Sequence, residues 1–188
     1  MKRFIVLLTL ISVIAILTAC SSEPSLKLTN KKVDIINDKG KTGAMILQQG
    51  EKAGKEVVPT TLYYTFTIKN EGSKKLGDTT NLFTVKIQPN EKLLTVSKEV
   101  MGFNIFNPKE YDNSGLGYGS SYVGILEPNT EGQFILHYDL GVDEETTEAL
   151  LVPSKQQLEK LRNHALEATL IVLLDNEEIA RFDLNKKE

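Results

Sequence analysis

Residues 62–70, LYYTFTIKN, constrain this chain more than any other stretch. Leu62, Tyr64, Phe66 and Ile68 alternate with Tyr63, Thr65, Thr67 and Lys69. A period of two carried by aromatic and β-branched side chains fits a strand with one buried face and one wet face. Asn70-Glu71-Gly72-Ser73 closes the run with turn residues. Further apolar segments follow the same logic. Phe83, Val85 and Ile87 alternate up to Pro89-Asn90, and a short run covers residues 93–96. Strand character resumes at 122–126, and after the turn at 127–132 Phe134, Leu136 and Tyr138 alternate again. Residues 166–173 and 178–184, joined by Leu174-Asp175-Asn176-Glu177, read as a hairpin. With one or two weaker strands between 26 and 47, seven or eight short strands argue for an all-β antiparallel sandwich. A chain of 188 residues is long enough to build that core without a metal or a disulfide.

One interval breaks the alternation. Between 143 and 164 the chain reads DEETTEALLVPSKQQLEKLRNH, where Ser154 and Gln157 have capping-box spacing and Leu158 and Leu161 lie three apart. This predicts a short helix over 155–163, bounded before its start by Pro153. The expectation is a helical insertion at 143–164 that covers an open end of the sandwich.

The N-terminus carries a different kind of information. Lys2 and Arg3 precede an apolar run that reaches Leu17, and small residues lead to Cys20. That pattern is a secretory leader. Leu17-Thr18-Ala19-Cys20 resembles the lipobox of bacterial lipoproteins, a family in which the Cys thiol receives a diacylglyceryl group and the leader is cut off before it. Cys20 is the only cysteine of the chain, which removes disulfide, zinc-cluster and redox uses. The expected organisation is a signal peptide at 1–19, a lipidated Cys and short tether at 20–27, and one folded domain at 28–188. The expected location is the extracytoplasmic face of the cell membrane. The strands at 62–70 and 126–140, following this motif, resemble small immunoglobulin-like lipoproteins of Gram-positive bacteria. That resemblance implies an immunoglobulin-like fold and a location, and brings no catalytic residue to this chain.

Charge and chemistry narrow the function. The formal charge is −3, and without Lys2 and Arg3 it becomes about −5, which disfavours nucleic acid as a partner. No cofactor motif is present. The two histidines, His137 and His164, have no further ligand at a metal-binding spacing, and no Gly-x-Ser-x-Gly elbow occurs. The reading is therefore a protein that is not an enzyme. Asp139, Asp143, Glu144, Glu145 and Glu148 form the densest acidic patch, able in principle to hold calcium but also expected in front of a helix. Tyr111 and Tyr118 lie in a Gly/Ser/Asn-rich stretch, 107–121, whose composition suits recognition loops. The expectation is a lipid-anchored domain that binds envelope proteins or cell-wall polymer through that stretch. The alternative is an accessory solute- or metal-ion-binding protein.

Overall fold

The alternating stretch forms β4 (Thr60–Asn70), which lies inside a four-stranded antiparallel sheet with β1 (Leu26–Ile36), β7 (Glu131–Gly141) and β6 (Tyr118–Tyr122) in the order β1-β4-β7-β6. The computed structural model describes residues 24–111 and 114–186, so the expected leader at 1–19 and Cys20 lie outside the described residues. Strict alternation exists because one face of this sheet is dry: Leu62, Tyr64, Phe66 and Ile68 are each fully buried. Phe134, Leu136, Tyr138 and Leu140 of β7 continue the same face.

A second sheet closes this core from the other side. β5 (Phe83–Pro89), β8 (Ala168–Leu174) and β9 (Glu177–Asp183) are antiparallel in the order β5-β8-β9. Asp175 and Asn176, both at positive φ, make the two-residue turn between β8 and β9. Such turns match the twist of the strands they join. Phe83 of β5 meets Phe134 of β7 edge-on with ring centroids 5.2 Å apart, so the two inner faces share one core. A third, two-stranded sheet, β2 (Met45–Ile46) with β3 (Glu56–Val57), packs Leu47 and Val57 against Val142 and Ala149.

Helices interrupt this strand order more than once, which corrects the expectation of an all-β immunoglobulin-like sandwich with one helical insertion. A four-residue helix, α1 (Lys39–Thr42), follows β1. Residues 93–96, expected as strand, belong to α2 (Glu91–Met101). The Asn90 side chain accepts from the Leu93 N–H at 2.9 Å, and Gly102 ends the helix at φ 80°. Leu93, Val96 and Ser97 are its buried residues, at i, i+3 and i+4. A window of four residues reads as alternation, whereas the stop at Gly102 and the start at Asn90 define eleven.

The third helix, α3 (Lys155–His164), carries the capping box of Ser154 and Gln157 and buries Leu161 in the shared core. Tyr64 Oη donates to the Ala165 carbonyl at 2.8 Å, tying β4 to the end of α3. Among the described residues the fold is mixed α and β with three sheets, so the resemblance to immunoglobulin-like lipoproteins falls as a description of this chain. The strand expected at 122–126 is also displaced. β6 ends at Tyr122, and Leu126 makes only an isolated bridge to Leu76. Among the described residues no helix is long and apolar enough to cross a membrane.

Candidate functional site

The stretch 107–121 is ordered by its own polar side chains and by β7. Asn104 N–H donates to Glu110 Oε2 at 2.7 Å, and Asn107 Nδ2 donates to Glu110 Oε1 at 2.9 Å. These donors hold the Glu110 carboxyl below the usual glutamate range. They also shape a short 3-10 turn over Pro108–Tyr111. The start of β6 is fastened by Asp139. Its backbone N–H donates to the Gly117 carbonyl at 2.9 Å, and its carboxylate accepts from Gly117 N–H at 3.2 Å and from Thr61 Oγ1 at 3.0 Å.

The two tyrosines of this stretch have different surroundings. Tyr111 is 5% exposed, packs edge-on against Phe103 at 5.2 Å, and donates its hydroxyl to the Asp139 carbonyl at 3.2 Å. Burial pushes its phenol well above the ordinary value. Tyr118 is 51% exposed, with its ring 5.6 Å from that of Tyr111. Tyr111 therefore supports the site from beneath, and Tyr118 is the one at the surface.

Tyr118 opens onto a cleft of about 370 Å³ between the edge of the first sheet, β6, and the edge of the second, β5. Leu136 and Tyr138 of β7 form its floor, Phe106 and Pro108 one end, and Val85, Lys86 and Ile87 the opposite wall. The Tyr138 ring meets Phe106 edge-on at 5.0 Å. Burial raises the Tyr138 phenol above its ordinary value, although a backbone hydrogen bond with Ile87 works in the opposite direction. The cleft thus combines three aromatic rings, Phe106, Tyr118 and Tyr138, with aliphatic side chains, a set suited to an apolar or aromatic group. Phe106 and Tyr138 carry no signal in the sequence that marks them as cleft residues. Tyr138 and Ile87 lie on faces marked by alternation, but only the facing of the two sheets makes them neighbours of Tyr118.

The remaining candidates are placed elsewhere. His137 lies opposite Gly119 across the β6–β7 ladder, where a Cβ on Gly119 would come within 2.1 Å of Nε2. Among the described residues its buried Nδ1 has no hydrogen-bond partner, and it is 3.9 Å from Asp139 Oδ1. Ser120 faces the cleft while His137 faces away from it, so the two do not form a nucleophile and base pair. His164 closes α3 and lies 2.7 Å from Glu167 Oε1, which also pairs with Lys92 at 2.8 Å.

The acidic patch is occupied by the chain itself. Glu144 pairs with Lys52 at 2.9 Å and Lys55 at 2.6 Å. The Glu148 carboxylate accepts the N–H groups of Gln48 and Gln49, at 2.8 and 2.9 Å. Together they clasp the β2–β3 sheet to residues 143–149. Among the described residues no group of three or more His, Cys, Asp or Glu is arranged to hold a metal ion.

This clasp gives a pH dependence. Hydrogen bonds from Lys55 and then Lys52 hold Glu144 down to about 2, from an ordinary 4.5, and Lys92 followed by His164 does the same for Glu167. A carboxyl depressed in the folded state contributes stability that is complete above the ordinary value and is lost as pH falls through the folded one. The thermal midpoint should therefore be level above about pH 5, then decline between 4.5 and 2. In Glu144→Gln the decline should be shallower. An equally steep decline would show that the clasp adds nothing. The lysine partners of both carboxylates are exposed, so salt should reduce the difference.

Comparison with protein-family models, with curated proteins and with solved structures gives no match.

Proposed function

We propose that this chain is a non-catalytic binding module, tethered to the outer face of a membrane through a diacylglyceryl group on Cys20, that holds an apolar or aromatic group of an envelope partner in the β5–β6 cleft. The observation that carries the reading is Tyr118, half in solvent above a floor of Leu136 and Tyr138. Exposed tyrosine at the rim of a pre-formed apolar cleft is the arrangement of binding hot spots. Tyr118→Ala is expected to weaken partner binding by about 2 kcal/mol, ~30-fold, with the thermal midpoint retained. The measurement is quantitative recovery of envelope partners by the full chain at the cell surface. Unchanged recovery by a folded Tyr118→Ala protein would remove the cleft as the site. Tyr111→Phe serves as the control, since it deletes a hydroxyl that faces inward and should leave recovery intact.

One observation favours an accessory solute-binding role as the second reading. The cleft volume of about 370 Å³ lies at the small end of the ~300–1,000 Å³ range of small-molecule pockets. Aromatic solutes are the matching probe, since three aromatic rings line the cleft. A thermal shift that is lost in Tyr118→Ala would select this reading over a macromolecular partner.

A further inference from the structure

The two principal sheets have four free edges, and three are protected against pairing with another strand. β1 carries Lys27, Lys31, Lys32 and Asp34 and a register shift between Leu28 and Asn30. β9 carries Glu177, Glu178, Arg181 and Asp183. β5 carries Lys86 and ends at Pro89. Charges, proline and bulges are the means by which edges are blunted. β6, with the sequence YGSSY, has none of them, and among the described residues it pairs with β7 alone.

The phase of the ladder determines which of its backbone groups are free. The bond from Asp139 N–H to the Gly117 carbonyl makes 117/139 a hydrogen-bonded pair, and in an antiparallel ladder such pairs alternate. Gly119 and Ser121 therefore face β7, while the N–H and C=O of Tyr118, Ser120 and Tyr122 point outward. These three residues are symmetric about Ser120. An antiparallel second β6 centred on Ser120 would place Ser120 opposite itself and Tyr118 opposite the second copy's Tyr122. Every outward group then has a partner, and aromatic rings face each other across the join, a favourable cross-strand pair. The chain as a whole is negative, but this strand carries no charge that would repel its own copy.

We infer that β6 pairs with β6 of a second copy, forming a twofold dimer with a continuous eight-stranded sheet. Tyr122 of the partner subunit then stands beside Tyr118 and supplies a wall on the open side of the cleft. This self-pairing stands independently of what the cleft holds.

Sedimentation of the full chain in detergent, at tens of micromolar, tests it. The parent chain is expected to carry two copies per particle. Ser120→Pro deletes an outward N–H and no bond to β7, and exposed Ser120→Lys adds an edge charge. Each should raise the dissociation constant at least tenfold with the thermal midpoint retained. Ser120→Cys should oxidise to a covalent dimer, because hydrogen-bonded antiparallel pairs have Cα atoms about 5.5 Å apart, inside the range that a disulfide spans. Ser121→Cys, displaced along the strand and on the other face, should not. A single copy per particle for the parent chain overturns the inference, as does a folded Ser120→Lys protein that remains dimeric. A monomeric parent chain in which Ser120→Pro still abolishes partner recovery would assign the edge to a strand from another protein instead.

Discussion

Phe134→Ala is expected to destabilise the folded chain by about 3–5 kcal/mol, the range for truncating a buried phenylalanine. Phe134 is fully buried on the inner face of β7 and meets Phe83 across the gap between the sheets, so truncation opens a cavity with both sheets as walls. Neither sheet can relax into it without moving the other, because Leu126 is also close: a Cβ on Gly132 would be 3.0 Å from its Cδ1 and 3.2 Å from Phe134 Cε2. Loss on this scale is a large share of the ~5–15 kcal/mol that a domain of this kind commands. Urea denaturation checks it, with the midpoint moving and the slope retained. A loss below about 1 kcal/mol would mean that the two sheets do not share a core. Phe134→Leu, which keeps most of the volume, should recover much of the stability.

The second large effect is all-or-none. Cys20→Ser is expected to abolish incorporation of radiolabelled fatty acid and to release the protein from the membrane fraction. Burial of acyl methylenes contributes about 0.8 kcal/mol each, so two chains anchor stably where one is marginal and none leaves nothing. Cys20 is the only thiol the chain offers, so no other residue can accept the same thioether. Label retained on the Cys20→Ser protein would remove the lipid anchor from the proposal, while the cleft and the β6 edge would be judged on their own tests.

Legibility varied along the chain for physical reasons. Alternation with one dry face locates β4, β5 and β7, since a strand packed on one side must alternate. The helix at Lys155–His164 announces itself through Ser154 and Gln157, a local hydrogen-bond pattern that needs no tertiary partner. α2 is ambiguous in sequence because Leu93, Leu94 and Val96 satisfy two periods at once. Its caps, Asn90 and Gly102, hold the decision. Tyr111 and Tyr118 share composition and neighbourhood, yet one lies under Phe103 and the other above the cleft. That difference arises from β7, which is remote in sequence and fixes the stretch through Asp139. The cleft itself is a product of two sheet edges facing each other and has no signature within either strand.

The first strand begins at Leu26, six residues after the proposed anchor at Cys20. Fully extended, that segment reaches about 20 Å. A twofold axis through paired β6 strands runs perpendicular to the first sheet. For two copies tethered to one leaflet by so short a leash, that axis must stand along the membrane normal. The eight-stranded sheet would then lie parallel to the bilayer like a raft, with its strands running along the lipid surface and both tethers leaving from opposite corners. Such a raft would hold both clefts at one fixed height above the headgroups, which limits any partner to what lies on or beside the same membrane.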